Sequence, residues 1–156
     1  MSFAIREGRL DEVEQLVALR CAMFEAMGTQ EDAIERVAMA SQRYFAEEMP
    51  SGRFRVWVCL DDAGDPIASI GLVVHSVPPG PLNSVGKVGY IMNLVTMPDW
   101  RRQGIARALL THVLDVLRAE GVPIASLHAS SDGRTLYEEL GFEIRDKLPE
   151  MRLQLA

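Results

Sequence analysis

The spacing of apolar residues in the first half of the chain follows two periods, and each period predicts one kind of element. Apolar residues that recur every three or four positions indicate a helix that buries one face. Alternating apolar residues, such as Phe54, Val56 and Val58, indicate a strand with one buried face. The pattern predicts a strand at 3–8, helices at 10–27 and 31–48, and a hairpin of strands at 54–61 and 67–77.

The second half of the chain contains a run at 88–97 that is apolar almost throughout, which is typical of a central strand buried on both faces. A helix follows, with Ile105 at the start of its apolar face and Gly121 at its end. The order of the elements predicts one mixed-sheet α/β domain over residues 1–156. The remaining predicted elements are a strand at 122–130, a short helix at 134–141, and terminal strands at 142–147 and 150–155.

Composition and charge argue against several kinds of protein. The formal net charge of −6 disfavours general nucleic-acid binding, which needs a basic face. No apolar run approaches the roughly 20 residues that span a bilayer, and the N-terminal residues lack the basic and apolar regions of a signal peptide. Cys21 and Cys59 have no histidines close by, so we expect neither a disulfide nor a metal site. We therefore expect a cytoplasmic protein without a metal, nucleic-acid or membrane partner.

The sequence NLVTMPDWRRQGIARALL, residues 93–110, joins the apolar strand to the helix and suits an anion-binding turn. Pro98 ends the strand because it cannot donate a hydrogen bond to a neighbouring strand. The first amides of the helix have no partner inside the helix and lie at the positive end of its dipole. Gly104 lets a ligand approach the backbone, and Arg101 and Arg102 add positive charge. These features favour a pyrophosphate group.

Taken alone, this segment is also explained by an ordinary strand-to-helix connection. Two other phosphate-binding motifs are poor matches. A Walker loop is excluded because no Gly-Lys-Ser or Gly-Lys-Thr follows. A dinucleotide fingerprint needs three glycines, and only Gly104 is present.

The run VTMPDWRRQGIARALL resembles the acetyl-CoA-binding signature of the GNAT superfamily of N-acetyltransferases, which has the form Arg/Gln-x-x-Gly-x-Gly/Ala. Arg101, Gly104 and Ala106 occupy the defining positions. Downstream, LHASSDGRTLYEELGF resembles the second half of the family's cofactor site, so the likeness covers residues 88–146. It implies a GNAT-type fold, with a mostly antiparallel central sheet of about six to seven strands flanked by about four helices. It also implies acetyl-CoA as cosubstrate and no metal.

The same resemblance implies which residues bind the cofactor. Backbone groups of the central strand would contact the pantetheine arm and the thioester carbonyl, and amides at the helix start would hold the pyrophosphate. Many relatives carry an asparagine before the downstream tyrosine, where this chain has serines. The implied cofactor-binding residues are Leu94, Val95, Thr96, Arg101, Arg102, Gln103, Gly104, Ile105, Ala106, Ser130 and Ser131.

The resemblance assigns the acid more clearly than the base. Tyr137 matches the tyrosine that protonates the departing thiolate in many relatives, and the alternative is a tyrosine that only packs in the core. The strand glutamate that serves many relatives as base is missing from GYIMNLVTM. His128 is the first candidate because it lies at the end of the strand that should border the cofactor. Glu25 and His75 are weaker candidates, and an amine of low pKa would need no base.

The function implied is transfer of an acetyl group from acetyl-CoA to a primary amine by direct attack in a ternary complex. A small-molecule amine is favoured as acceptor, with a slight preference for a cationic or amphipathic one because the chain is acidic. A protein N-terminus or lysine is the other acceptor class. Phe24, Glu25 and Asn93 would contact the acceptor.

Two further expectations follow from the resemblance. The missing glutamate and asparagine make a non-catalytic acyl-CoA-binding sensor or regulatory module the alternative function, although the matched Tyr137 argues against it. The last predicted strand, EMRLQL, would pair with a second copy of the chain if this protein forms the kind of dimer that some relatives form. A homodimer is therefore a candidate assembly.

Overall fold

The structure is a computed structural model, and it describes residues 3–156. Its strands are β1 (Ala4–Glu7), β2 (Arg55–Leu60), β3 (Pro66–Ser76), β4 (Lys87–Thr96) and β5 (Ile124–Ser126). They form one five-stranded sheet whose spatial order is the chain order. The pairs from β1 to β4 are antiparallel, and β5 pairs parallel with β4.

Helices cover both faces of this sheet. The helices are α1 (Val13–Ala26), α2 (Glu31–Glu48), α3 (Ile105–Ala119) and α4 (Arg134–Glu139). Short 3₁₀ turns precede α1 and α3, at Leu10–Glu12 and Pro98–Trp100. The predicted helices are thus confirmed, with ends within a few residues of those expected from the apolar spacing.

Alternation along β2 divides the core into two layers. Val56 and Val58 point towards α1 and α2, where they pack with Phe45 of α2. Trp57 and Cys59 point to the opposite face and pack with α3. Since successive side chains of a strand face opposite sides, one strand supplies both cores. The sheet is therefore a middle layer, with α1 and α2 on one face and α3 on the other.

The predicted mixed α/β fold with a mostly antiparallel sheet and four helices is confirmed. The sheet has five strands, however, and not six to seven. The strands predicted at 142–147 and 150–155 are absent from the described chain, and the strand predicted at 122–130 is reduced to Ile124–Ser126.

The error at the C-terminus has a simple physical reason. Met151, Leu153 and Leu155 alternate as in a strand, but each is at least 79% exposed. Alternation shows which side chains share a face and does not show that a neighbouring strand exists. The adjacent edge strand β5 is only three residues long, so it offers little edge for a further strand.

Glu12 joins β1 to the start of α1 through a buried carboxylate. Its side chain accepts hydrogen bonds from the Arg6 guanidinium and, at 2.9 Å, from the backbone N–H of Arg9. Glu12 is 5% exposed. The hydrogen bond from Arg6 is the main reason that the pKa of Glu12 lies below its ordinary value. This contact fixes the first helix, and with it the face that α1 turns to the sheet.

Among residues 3–156, every helix is too short or too polar to cross a membrane. The same residues contain no cluster of three or more His, Cys, Asp or Glu side chains that could hold a metal ion.

We predict that Glu12→Gln lowers the free energy of unfolding by about 1–3 kcal/mol at pH 7, because the charged hydrogen bond to Arg6 is lost. The lowered pKa means that the stabilisation is present above the unfolded-state pKa of about 4.3 and is lost as the pH falls through the lower folded-state value. Urea unfolding at several pH values measures both effects. Glu14→Gln, an exposed change in the first turn of α1, is the control. An equal loss in both variants would contradict the prediction.

Candidate active site

The parallel pairing of β4 with β5 ends early and leaves a gap in the sheet. Tyr90 of β4 lies opposite Ser126 of β5 in the last paired position. Beyond it the chain after β5 leaves the sheet, so β4 from Ile91 to Thr96 has no strand on that side. Backbone groups along this edge are open to a ligand that lies in the gap. The open edge of β4 therefore includes Leu94, Val95 and Thr96, whose backbone groups were predicted to contact the pantetheine arm.

A β-bulge lies in the middle of this open stretch. Asn93 and Leu94 of β4 both lie opposite Ile70 of β3, because the register shifts between Ser69 and Gly71. Asn93 has φ +54°, a left-handed conformation that asparagine tolerates better than most residues. A bulge bends a strand and redirects its backbone groups. Here it changes which amides and carbonyls of β4 face the gap.

The turn before α3 presents a row of backbone amides. Arg102 has φ +62° and Gly104 has φ +82°, and these left-handed residues turn the chain into the helix. Within residues 3–156, the amides from Arg102 to Arg107 donate no hydrogen bond to another residue. A cavity of about 250 Å³ lies against them, lined by Thr96, Trp100, Arg101, Arg102, Gly104, Ile105, Ala106, Arg107 and Leu136. Unpaired amides at a helix start attract an anion, and the cavity gives it space.

The arginines of this turn differ in how much charge they offer. Arg101 donates from Nε to the carbonyl oxygen of Thr96 at 3.1 Å. Arg107 forms an ion pair with Glu139, which ties α3 to α4 and neutralises that charge. Arg102 is exposed and makes no ion pair with a described residue. The backbone amides, with Arg101 and Arg102, are therefore the groups of this turn that are available to an anion.

Tyr137 lies on α4, on the same side of the sheet as α3. Its ring packs against the α3 core and edge-on to Phe142 at 6.1 Å. Burial raises the pKa of Tyr137, so its phenol stays protonated across the neutral range. Gly133 leaves room for the ring, because a Cβ there would lie 2.8 Å from the Tyr137 hydroxyl oxygen. The phenol is thus held in place without a hydrogen bond to any described residue.

The serines predicted to contact the cofactor arm lie just before α4. The Ser130 hydroxyl accepts a hydrogen bond from the backbone N–H of Gly133 at 3.2 Å, so it supports the turn into the helix. Ser131 is exposed. Neither position is preorganised for a ligand in the way that the amides before α3 are.

His128 lies beyond β5, in a hydrogen-bonded chain that the sequence does not reveal. Its Nδ1 is 2.6 Å from the hydroxyl oxygen of Tyr90, and its Nε2 contacts Glu150, which also pairs with Arg152. Because β5 ends at Ser126, His128 lies two residues beyond the strand and not at its end, as the sequence predicted. The histidine is oriented by these neighbours instead. Tyr90 and Glu150 were missed because they are far from His128 in the sequence.

Two of the residues predicted to bind the acceptor, Phe24 and Asn93, are linked through Arg20 of α1. Phe24 stacks with the guanidinium of Arg20, whose carbon lies 5.0 Å from the ring centre. Arg20 also donates to the side-chain oxygen of Asn93. Glu25 is exposed at the end of α1. Sequence reasoning missed Arg20, although it occupies a position on the apolar stripe of α1 and was detectable there.

His75, a weaker candidate for the base, lies away from this region. It is exposed on β3 and pairs with Val88, near the opposite end of β4 from the bulge. The structure therefore brings Asn93, Phe24 and Arg20 together and leaves His75 outside the site.

The family model for the acetyltransferase (GNAT) family matches residues 14–142. The chain is 40% identical over 55 residues to the [ribosomal protein bS18]-alanine N-acetyltransferase of Escherichia coli, covering 33% of this chain and 37% of that protein. It is 32% identical over 68 residues to the glucosamine 6-phosphate N-acetyltransferase of Trypanosoma brucei brucei, covering 44% and 45%. The chain thus spans less than half the length of these curated relatives.

Solved structures match over nearly the whole chain. A GCN5-related N-acetyltransferase from Ralstonia eutropha JMP134 is 28% identical with a TM-score of 0.85, covering 97% of this chain and 99% of that one. A predicted acetyltransferase with acetyl-CoA from Clostridium acetobutylicum is 24% identical with a TM-score of 0.86, covering 97% and 96%. At 24% identity, the similarity to the Clostridium acetobutylicum protein is evidence for a shared fold alone.

We predict that Gly104→Ala weakens acetyl-CoA binding more than it weakens the fold. A left-handed alanine costs about 1–2 kcal/mol, so the turn should relax and its amides should lose alignment. Gly121→Ala is a matched control, since Gly121 also has positive φ and open space but lies beyond the other end of α3. Calorimetric titration with acetyl-CoA and thermal unfolding measure the two effects. If both variants bind acetyl-CoA equally well, the turn is not the cofactor site.

Proposed function

The chain belongs to the acetyltransferase (GNAT) family, and from this premise we propose that it transfers the acetyl group of acetyl-CoA to a primary amine. The amine attacks the thioester directly in a ternary complex. The observation that carries the proposal is the adjacency of two sets of open backbone groups, the edge of β4 from Ile91 to Thr96 and the amides from Arg102 to Arg107. In a long thioester cofactor, the pantetheine arm suits the edge of β4 and the pyrophosphate suits the amides.

The cofactor lies along β4 with its pyrophosphate at the start of α3. The amides from Arg102 to Arg107 hold the pyrophosphate, and Arg101 and Arg102 add charge. Backbone groups of Leu94, Val95 and Thr96 contact the pantetheine arm; the Thr96 carbonyl already accepts a hydrogen bond from Arg101. The acetyl-CoA in the Clostridium acetobutylicum structure, which has a similar fold, supports this cosubstrate.

Two groups act on the reacting carbonyl and the leaving group. A backbone amide near the bulge donates a hydrogen bond to the thioester oxygen and stabilises the negative charge that develops on attack. Tyr137 then gives its proton to the departing thiolate. Because its pKa is raised by burial, Tyr137 enters each turnover protonated. The C–S bond breaks as the thiol of CoA forms.

His128 is the proposed base. It takes the proton of the attacking amine, through the Tyr90 hydroxyl that lies 2.6 Å from its Nδ1. Glu150 orients the ring from the other side. Glu25 at the end of α1 is the weaker choice, since it is exposed and its carboxylate makes no hydrogen bond or ion pair with a described residue.

A small-molecule amine is the proposed acceptor, in contact with Phe24 and Asn93. The curated relatives are named for a protein alanine and for an amino sugar phosphate, so the family chemistry covers both acceptor classes. Asn93, Phe24 and Arg20 are all partly buried, and a small amine reaches such groups more easily than a folded protein surface does. The cytoplasmic location, the single domain over 1–156 and the homodimer stay predictions.

A second candidate function is a non-catalytic sensor that binds acetyl-CoA. It is favoured by the absence of an acidic residue on β4 and by the engagement of both ring nitrogens of His128. A sensor would bind acetyl-CoA and release no thiol above background with any amine. The measurement of thiol release across amino acids, amino sugars, polyamines, aminoglycosides and short peptides separates the two functions.

We predict that Tyr137→Phe lowers kcat by about 10²-fold while the affinity for acetyl-CoA stays nearly unchanged, because only the proton donor is lost. Gly133→Ala should lower kcat less, since a Cβ 2.8 Å from the hydroxyl oxygen displaces the ring without removing it. Thr135→Ala, an exposed change on α4, is the control. Thiol release measures the rates of all three variants.

Because burial raises the pKa of Tyr137, deprotonation of its phenol should not reduce the activity of the wild type below about pH 10. Unchanged turnover in Tyr137→Phe would remove it from the mechanism.

We predict that His128→Gln lowers kcat by about 10²-fold near neutral pH, because glutamine keeps hydrogen bonds but accepts no proton. Raising the pH should restore part of the rate, since more of the amine is then unprotonated. His75→Gln is the control at the far end of β4. A pH–rate profile for each variant makes the comparison. Equal rates for His128→Gln and the wild type across the profile would show that no base is needed at this position.

A further inference from the structure

Arg20 is a partly buried cation without an anionic partner. Within residues 3–156, three arginines are partly buried: Arg6, Arg55 and Arg20. Arg6 pairs with Glu12. Arg55 pairs with carboxylates on either side of it, Glu7 and Glu120. Arg20 alone among these three pairs with no described carboxylate.

Neutral groups hold the Arg20 guanidinium in a fixed orientation. Nε donates to the Ser41 hydroxyl at 3.0 Å, and Nη1 donates to the side-chain oxygen of Asn93. The plane stacks with Phe24. Nη2 donates to none of the residues in 3–156. The side chain is therefore oriented, with donor capacity left over.

The cavity that Arg20 lines is too small for an organic anion. It is bordered by Phe45, Phe54 and Asn93 and has a volume of only about 10 Å³. This is room for roughly one water molecule. An anion that pairs with Arg20 must therefore lie outside this cavity and reach the partly exposed guanidinium from solvent.

The electrostatic surroundings of Arg20 are consistent with a positive charge that no nearby carboxylate neutralises. Desolvation by burial is the main cause that lowers the pKa of Arg20, and interactions with Cys21 and Tyr44 oppose this shift. No carboxylate contributes. A charge kept partly out of water without a partner is unfavourable for stability, and such exceptions to the usual pairing are found at functional sites.

We propose that Arg20 binds an anionic group on the acceptor amine, so that the acceptor is a small amine carrying a carboxylate or a phosphate. The inference rests on the proposed function. Arg20 contacts Asn93 directly, and Asn93 lies in the bulge beside the expected thioester. An acceptor with its nitrogen at the thioester can therefore reach Arg20 with a group only a few bonds away. Binding at Arg20 then orients the nitrogen for attack.

An acceptor with an anionic group differs from the slight preference for a cationic acceptor that the net charge of −6 suggested. Net charge describes the field of the whole surface, whereas Arg20 describes the charge at the site. The proposal also differs from a purely structural role in which Arg20 only holds Asn93 in its left-handed conformation. A structural role would affect all acceptors alike.

The test compares acceptors that differ only in the anionic group. Glucosamine 6-phosphate is paired with glucosamine, and L-alanine with L-alaninamide, so the two pairs separate phosphate from carboxylate. Binding to the full chain saturated with CoA is measured by calorimetry, and thiol release is measured with acetyl-CoA. In at least one pair the anionic member should bind the wild type about 10- to 100-fold more tightly.

Variants then assign the preference to Arg20. Arg20→Gln should abolish the preference with little change for the neutral member, and Arg20→Lys should keep part of it. Arg43→Gln removes the same charge from an exposed position on α2 and should keep the preference intact. Thermal unfolding and acetyl-CoA binding confirm that each variant is folded.

Two outcomes overturn the proposal. One is equal binding of the anionic and neutral members of both pairs to the wild type. The other is an equal loss for both members in Arg20→Gln, which would mean that Arg20 acts only through Asn93. Failure of the proposed function would give a different experimental result. In that case the anionic probe still binds in an Arg20-dependent way, but no thiol is released with any amine.

Discussion

Backbone hydrogen-bonding groups without partners decide where this molecule can hold a ligand. Backbone amides and carbonyls that leave water must be paired, and regular structure pairs most of them. Two neighbouring stretches within residues 3–156 lack this pairing: the edge of β4 beyond Tyr90 and the amides that begin at Arg102. The short turn after Thr96 puts these places next to each other. One extended ligand with an anionic middle satisfies both, so the gap in the sheet and the helix start work as one site.

The parts of this site that were predicted from the sequence are local. Pro98, Gly104 and the apolar face of α3 act within a few residues, so their effect is visible in one short segment. Contacts such as Arg20 with Asn93 join distant segments, and no local pattern shows which residues will meet. Arg20 still left a signal, since it continues the apolar stripe of Val13, Leu16 and Val17 where a charged residue is unexpected.

The predicted terminal strands failed for the opposite reason, since their local pattern was strong and their partner was absent. A helix contains its own hydrogen bonds, so periodicity is nearly sufficient to predict it, as with α3. A strand forms its backbone hydrogen bonds with a neighbouring strand, and β5 is too short to pair with a further strand. The same shortness opens the gap beside β4. The missing strands and the candidate site therefore have one cause, the early departure of the chain after Ser126.

The two faces of the sheet divide the proposed chemistry. Tyr137 packs with the α3 core, whereas Arg20 lies above residues of the α1 and α2 core. In the proposed ternary complex the thioester would lie between them, at the bulge of Asn93 and Leu94, because that is where β4 is open. An amine held on the Arg20 side would then attack one face of the carbonyl, and the thiolate would leave towards the phenol on the other. A strand paired on both edges would block this passage, so in the proposed mechanism the splayed, bulged form of β4 lets the amine reach the carbonyl carbon from one side and the acid reach the thiolate sulfur from the other.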